Sequence, residues 1–225
     1  MGDTARSTSR SESTRATIIA AAEAIFAEKG FAAARLQDVA DRVGIRRPSI
    51  VYYFRNKRDL YEAVLNDLFS ELAARIRAAV TSPTPMPERI EAVVKAWVSY
   101  VGERPSLARV LLREIAEALP ARSPVMMRYV APISGVVEEA IRNGQQQGIF
   151  QATDPVHFII TAVGGMVFFT CAIPVFAPGW PFDPLSQEQL LAYESELLEM
   201  ARRWLGISRP ALEQPAERVL RRSSG

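Results

Sequence analysis

The chain has 225 residues, 48% of them hydrophobic and 23% charged, enough to build a sizeable core in one large domain or two small ones. Its single cysteine, Cys171, excludes an intramolecular disulfide and a zinc site built on paired thiolates, and it fits a reducing, cytoplasmic setting. The net charge of +2 hides an asymmetry: residues 35–58 hold seven Lys/Arg against two acids, whereas residues 59–225 hold 16 basic and 19 acidic residues. A short basic element on a mildly acidic body predicts a polyanionic partner.

In chain order, the first twenty residues are rich in Ser, Thr and Arg and lack the apolar run of a secretory signal, so residues 1–12 are expected to form a disordered arm. Ile18, Ala22, Ile25 and Phe26 then make an apolar stripe at helical spacing, closed by Lys29 and Gly30. Leu36, Val39, Ala40 and Val43 repeat the stripe over two turns before Gly44, and a second short element runs from about Pro48 to Phe54. Two short helices around one glycine are the grammar of a helix-turn-helix, which places such a head at residues 13–58.

Asn56, with Asp59 three residues on, caps a long helix through Leu60, Val64, Leu68, Leu72 and Ile76 that opens a helical body over residues 59–206. The stretch Thr81 to Pro87 breaks that helix, and Pro105, Pro120, Pro124 and Pro132 are expected to mark further helix starts. Asp154 and Pro155 form a cap and first-turn pair, and Ser186 with Gln189 opens a final helix to about Leu205. Residues 207–225 turn polar and proline-bearing and are expected to be loose. No period-2 strand run flanked by turn residues occurs, so the fold class is all-α, with a three-helix head and about nine helices in total.

Residues 30–60 read GFAAARLQDVADRVGIRRPSIVYYFRNKRDL. A helix offered to a major groove needs one apolar face to dock and an opposite face of donors. Ile50 and Phe54, four apart, supply the docking face, while Ser49, Tyr52 and Tyr53 offer hydroxyls to phosphates. Pro48 in the first turn leaves neighbouring N–H groups free for an anion. Arg46 and Arg47 precede it with guanidiniums able to fork onto guanine, and Lys57 at the next helix start suits a phosphate.

This stretch resembles the head of the tetracycline-repressor (TetR) family, in motif detail from about Thr14 to Val64, and the later helices resemble the family's general plan. The resemblance implies a homodimer that binds a double-stranded, pseudo-palindromic DNA operator. It implies a repressor, without catalysis or cofactor, that leaves the operator when a small hydrophobic effector enters the C-terminal domain. It also implies DNA contacts at Arg47, Pro48, Ser49, Tyr52, Tyr53 and Lys57, with Gln37 and Arg35 on the second helix; Arg46 joins them by charge. Ala34 stands where relatives commonly have Ser or Thr and can neither cap that helix nor touch phosphate, and Val51 occupies a frequent Tyr position.

From Pro155 to Phe182 no residue carries formal charge if His157 is neutral, a length that fits a membrane span. Gly164, Gly165, Pro174, Pro178, Pro181 and the lack of flanking Lys/Arg argue against one. A helix buried on several sides is expected instead, with the glycine pair allowing close approach of another helix, such as a symmetry mate. Leu190, Leu197, Ala201 and Trp204 form a near-heptad seam, so dimerisation is expected through the helices near 155–173 and 186–205.

For the effector site, Trp97, Tyr100, Met126, Met127, Tyr129, Phe168 and Phe169 are the bulky candidates, each of which also reads as core. Arg113 is a candidate polar anchor among Arg109, Glu114 and Glu117, although Arg113 and Glu117 also form a plain i, i+4 pair. His157 has no second histidine beside it, so no metal site is expected. The rival readings are an all-α enzyme and an interaction module without DNA binding. Cys171 lies in an apolar run where a thiol is inert, no phosphate-binding glycine pattern appears, and the basic head argues against the module.

Overall fold

The structure, a computed structural model, describes residues 2–118, 124–176, 178–179 and 181–207. Among them are nine α-helices and no strand: α1 (Gly2–Ala33), α2 (Leu36–Val43), α3 (Arg47–Tyr53), α4 (Lys57–Val80), α5 (Met86–Glu103), α6 (Ser106–Ala118), α7 (Ala131–Gln146), α8 (Pro155–Phe176) and α9 (Gln187–Leu205). The tail beyond residue 207 and the helix start expected at Pro120 lie outside the described residues.

Helix α1 departs from expectation at its beginning, because residues 2–12 continue the helix where a disordered arm was expected. No Gly or Pro stands between Asp3 and Lys29, and Ser, Thr and Arg propagate a helix at small cost. Its other end follows the sequence: Gly30, at φ 76 and ψ 167, leaves helical space. Gly44 closes α2 at φ 74, a left-handed backbone that favours glycine.

The first residue before α2 is Arg35, not Ala34, which is buried in the head core at 2% exposure. The cap Ala34 lacks comes from the other direction, as Asp38 Oδ2 accepts the Arg35 backbone N–H at 2.9 Å. Lys29 approaches the same carboxylate at 3.1 Å. That N–H first, and then the ammonium, hold the Asp38 carboxyl below its ordinary range.

Ile50 and Phe54 are buried as expected and dock α3 on the head. Asn56 caps α4 by accepting from Asp59 N–H at 2.9 Å. Helix α4 then packs on α1 at its head end and on α5 and α7 in the body, burying Leu60, Val64, Leu68, Leu72 and Ile76 along one stripe.

Pro132 stands in the first turn of α7, as expected, but the backbone before it is already helical. The backbone is helical from Pro124 through Gln146, with a widened turn at Met126–Val130 where Ala131 N–H donates to the Met126 carbonyl. Proline lacks the N–H that would bond the Arg128 carbonyl, and its ring crowds that carbonyl in an ordinary α-turn. A five-residue reach relieves both faults.

The apolar helix α8 is buried on one side only. Phe158, Ile159, Ala162, Met166, Val167 and Thr170 face α6 and α7, whereas Ile160, Phe168, Val175 and Phe176 are exposed. Its Pro155–Ile173 stretch is long and apolar enough to cross a membrane by length and composition, and such a stretch is equally that of a core helix. Of the glycine pair, Gly165 sits where an added Cβ would meet Tyr193 Oη of α9 at 2.5 Å, so the close approach is made within the chain; Gly164 has open space. The expected α9 seam likewise turns inward: Leu197 and Ala201 are buried, Leu190 and Trp204 are half-buried against the core, and α9 packs on α5, where Arg202 pairs with Glu91 at 2.8 Å. Heptad spacing identifies an apolar seam but not whose surface fills it.

Candidate nucleic-acid interface

The head turns its basic element outward. Arg35, Gln37, Arg46, Arg47, Pro48 and Ser49 are exposed, and Tyr52 stands 81% exposed on the face of α3 opposite Ile50. Tyr53 is half-buried with its ring perpendicular to that of Tyr52 at 5.1 Å. A phenol left this open contributes nothing to the core; it offers a hydroxyl and an aromatic edge to something outside the chain. Gln37 Nε2 donates to Asp41 Oδ1 at 2.6 Å, which orients the amide on the outer face of α2. Val51 is 44% exposed with no polar atom to offer, and buried Ala34 is out of reach of a phosphate.

Lys57 is arranged differently from expectation. Its ammonium is turned inward, donating to the carbonyls of Phe31 (2.7 Å), Ala34 (3.0 Å) and Ala32 (3.1 Å), and lies 4.6 Å from the centre of the Phe31 ring. With all three N–H groups committed, it ties the start of α4 to the chain between α1 and α2. The sequence carried no signal for this, because the partners are backbone carbonyls 23 to 26 residues away.

In the body, α4 to α8 enclose a cavity of about 680 Å³, counting its open margin. Its wall is apolar: Phe69, Leu72, Leu111, Val137 and Phe158 are typical, and Ser134 is the one hydroxyl among the described residues. Of the eight candidate ligand residues only Trp97 lines it. Tyr100 is fully buried, donates to the Leu68 carbonyl at 2.7 Å, and has its pKa raised by burial. Met127 and Phe168 are exposed, Met126 is half-buried, Phe169 stacks on Tyr193 at 4.4 Å, and Tyr129 stacks on Phe69 at 5.4 Å. The lining aliphatics were missed because Leu, Val and Ile on a buried helical stripe look the same whether they face a neighbour or a void.

Arg113 has left the ligand set altogether. Its Nη2 donates to the Glu28 carbonyl at 2.8 Å and its Nε to that of Ala27 at 3.4 Å, satisfying the last turn of α1 beside Gly30. The Glu117 side chain lies outside the described residues, so the expected pair with it is not described. Helix α6 holds the head twice more, through Ser106 to Glu23 and Glu114 to Tyr61. Beside them Arg104 binds Glu23, Asp67 at 2.8 Å and Glu71 at 3.2 Å. The same α6 lends Leu111 to the cavity wall. Burial, first, raises the Cys171 pKa, and no metal-holding group of His, Cys, Asp or Glu occurs among the described residues.

Two family models match this chain. One, described as bacterial regulatory proteins of the tetR family, covers residues 18–64; the other, a tetracyclin repressor-like C-terminal domain, covers residues 83–171. Among curated relatives, the transcriptional activator FasR of Mycolicibacterium smegmatis is 31% identical over 39% of this chain and 40% of its own length. The transcriptional repressor SCO4008 of Streptomyces coelicolor is 27% identical over 72% of this chain and 81% of its own. The structure of a tetR-family regulatory protein from Rhodococcus RHA1 superposes with a TM-score of 0.66 at 21% identity, covering 87% of this chain and 98% of that one. A docked helix with its donors outward, an α-helical body and both family matches lead to one assignment: this chain belongs to the TetR family of DNA-binding transcriptional regulators.

Proposed function

We propose that the protein is a homodimeric, cytoplasmic repressor that holds a pseudo-palindromic operator through α3 and releases it when a small hydrophobic ligand fills the body cavity. The observation that carries the reading is the double attachment of α6, whose Leu111 lines the cavity and whose Arg113 holds the carboxyl end of α1. A ligand that displaces α6 shifts the helix on which the head is built, and its differential affinity for the two positions sets how far the equilibrium moves. The match across most of the length of a named repressor supports repression over activation.

In this reading Arg47 reads a base pair, while Arg35, Gln37, Arg46, Pro48, Ser49, Tyr52 and Tyr53 meet the backbone and neighbouring edges. Lys57 acts by positioning α4. The second copy covers the exposed apolar face of α8, where Ile160 is 65% and Phe168 57% exposed, together with Leu191 of α9 at 58%. Two such heads present their helices about 34–36 Å apart.

The test is a mobility-shift titration with DNA from upstream of the gene, run at several salt concentrations beside sedimentation of the free protein. A sequence-selective, salt-dependent shift by a dimer is expected. Failure to shift any fragment, or a stable monomer, refutes the proposal.

A further inference from the structure

The body cavity is apolar, yet one residue of its wall, and another packed behind that wall, each carry a buried polar atom without a hydrogen-bond partner. Trp97 lines the cavity from α5 at 7% exposure, and its indole N–H is buried with no hydrogen-bond partner. The Tyr129 hydroxyl is buried and unpartnered in the same way. Its ring stacks on Phe69, a wall residue, and the next residue along the widened turn, Val130, is also in the wall. Buried donors without acceptors are rare in native proteins, because each forfeits its bond to water and regains nothing. An indole N–H can only donate, so what satisfies it must carry an acceptor. Among the described residues no lysine, arginine, aspartate or glutamate lines the cavity, so a charged ligand would find no counter-charge among them.

We propose that the cavity selects an uncharged, mostly apolar molecule bearing at least one hydrogen-bond acceptor, such as a ketone, ester or ether oxygen, which takes the Trp97 N–H and engages the Tyr129 hydroxyl. This rests on the reading of the cavity as the effector site and specifies the chemistry of its occupant. The apolar part of the ligand fills the space between Phe69, Leu111 and Phe158, and the acceptor fixes its orientation.

The test is calorimetric titration of the full chain, without DNA, using three probes of matched shape: 4-phenylbutan-2-one, butylbenzene and 4-phenylbutanoate. The ketone is expected to bind about tenfold more tightly than butylbenzene, the worth of satisfying one buried donor, and the carboxylate more weakly than either. Comparing probes within each variant cancels changes in cavity shape. The ketone's advantage is expected to shrink to about twofold in Trp97→Phe and to fall further when Tyr129→Phe is added. Tyr129→Phe alone removes one oxygen and serves if Trp97→Phe does not fold, with a partial loss of the advantage expected. Equal binding of ketone and butylbenzene, tightest binding of the carboxylate, no binding of any probe, or an advantage untouched by the variants overturns the proposal. Because no DNA is present, the ligand assignment stands or falls on these titrations alone, whatever the mobility shifts show of the regulator.

Discussion

The head and the body treat polar groups in opposite ways. On α3 and just before it, Arg46, Arg47 and the Tyr52 phenol stand in solvent, whereas the cavity between α4 and α8 has almost no polar atom on its described wall. The difference matches the partners proposed for the two regions. A polyanion is held by many charge-assisted bonds that exchange readily with water and salt, so its site is kept wet and open. A small apolar molecule is held by exclusion of water, so its site is kept dry and a single misplaced charge is costly.

The sharpest way to break this division is at the junction. Arg104→Ala strips the guanidinium from Glu23, 8% exposed, and is expected to cost about 3 kcal/mol of stability. Head and body are expected to melt together, in one thermal transition followed by circular dichroism. Two separate transitions would show that the head folds independently and that α6 is not a coupling element.

Within the head, Arg47→Ala and Lys57→Ala are expected to have opposite signatures. Exposed Arg47 is expected to contribute about 1–3 kcal/mol to operator binding, measured by mobility shift, with an unchanged melting temperature. Lys57→Ala is expected to lower stability by about 1–2 kcal/mol, since three carbonyls lose their donor, and to leave the salt dependence of DNA binding unchanged. A salt slope reduced by about one in Lys57→Ala would return that residue to the phosphate contacts.

The smallest expected effect is titrational. Arg75 and then Ser99, bonded to the Glu103 carboxylate, bring its pKa from an ordinary 4.5 to about 2. A carboxyl depressed in the folded state stabilises the fold above its unfolded value and loses that contribution as pH falls through the folded one, here from about pH 4.5 toward 2. Asp38 in the head is lowered as well, so both regions are expected to lose stability on the acid side. Glu103→Gln is expected to flatten the body's share of that loss in acid titrations of melting temperature, and an unaltered profile would dismiss the pairing with Arg75.

What was legible in the sequence was local. The caps at Asn56 and Ser186, the glycine at 44 between two short helices and the docking pair Ile50 and Phe54 each depend on neighbours within a few positions, and each stands where it was expected. The outward basic face of α3 was legible for the same reason. The misses depend on distance in the chain. Lys57 and Arg113 were assigned to ligands because a cation shows its charge in sequence and not the carbonyls it folds back upon. Pro132 stands at the start of α7 as expected, yet the widened turn that joins this helix to the one before it is invisible to residue type. A cavity leaves the faintest trace, since it is space that side chains decline to fill.

Helix α4 runs unbroken from the Asn56 cap beside α3 to Val80 in the body, and α6 clasps α1 alongside it. The head is therefore not a module on a string. A flexible tether would let two heads search a range of separations at little entropic cost, and half-sites of many spacings would serve. Mounted on a continuous helix, each head of a dimer is the jaw of a caliper. If the protein binds as the proposed dimer, it measures the distance between half-sites by its own stiffness, and inserting a single base pair at the operator's centre is expected to be felt as strain rather than absorbed as slack.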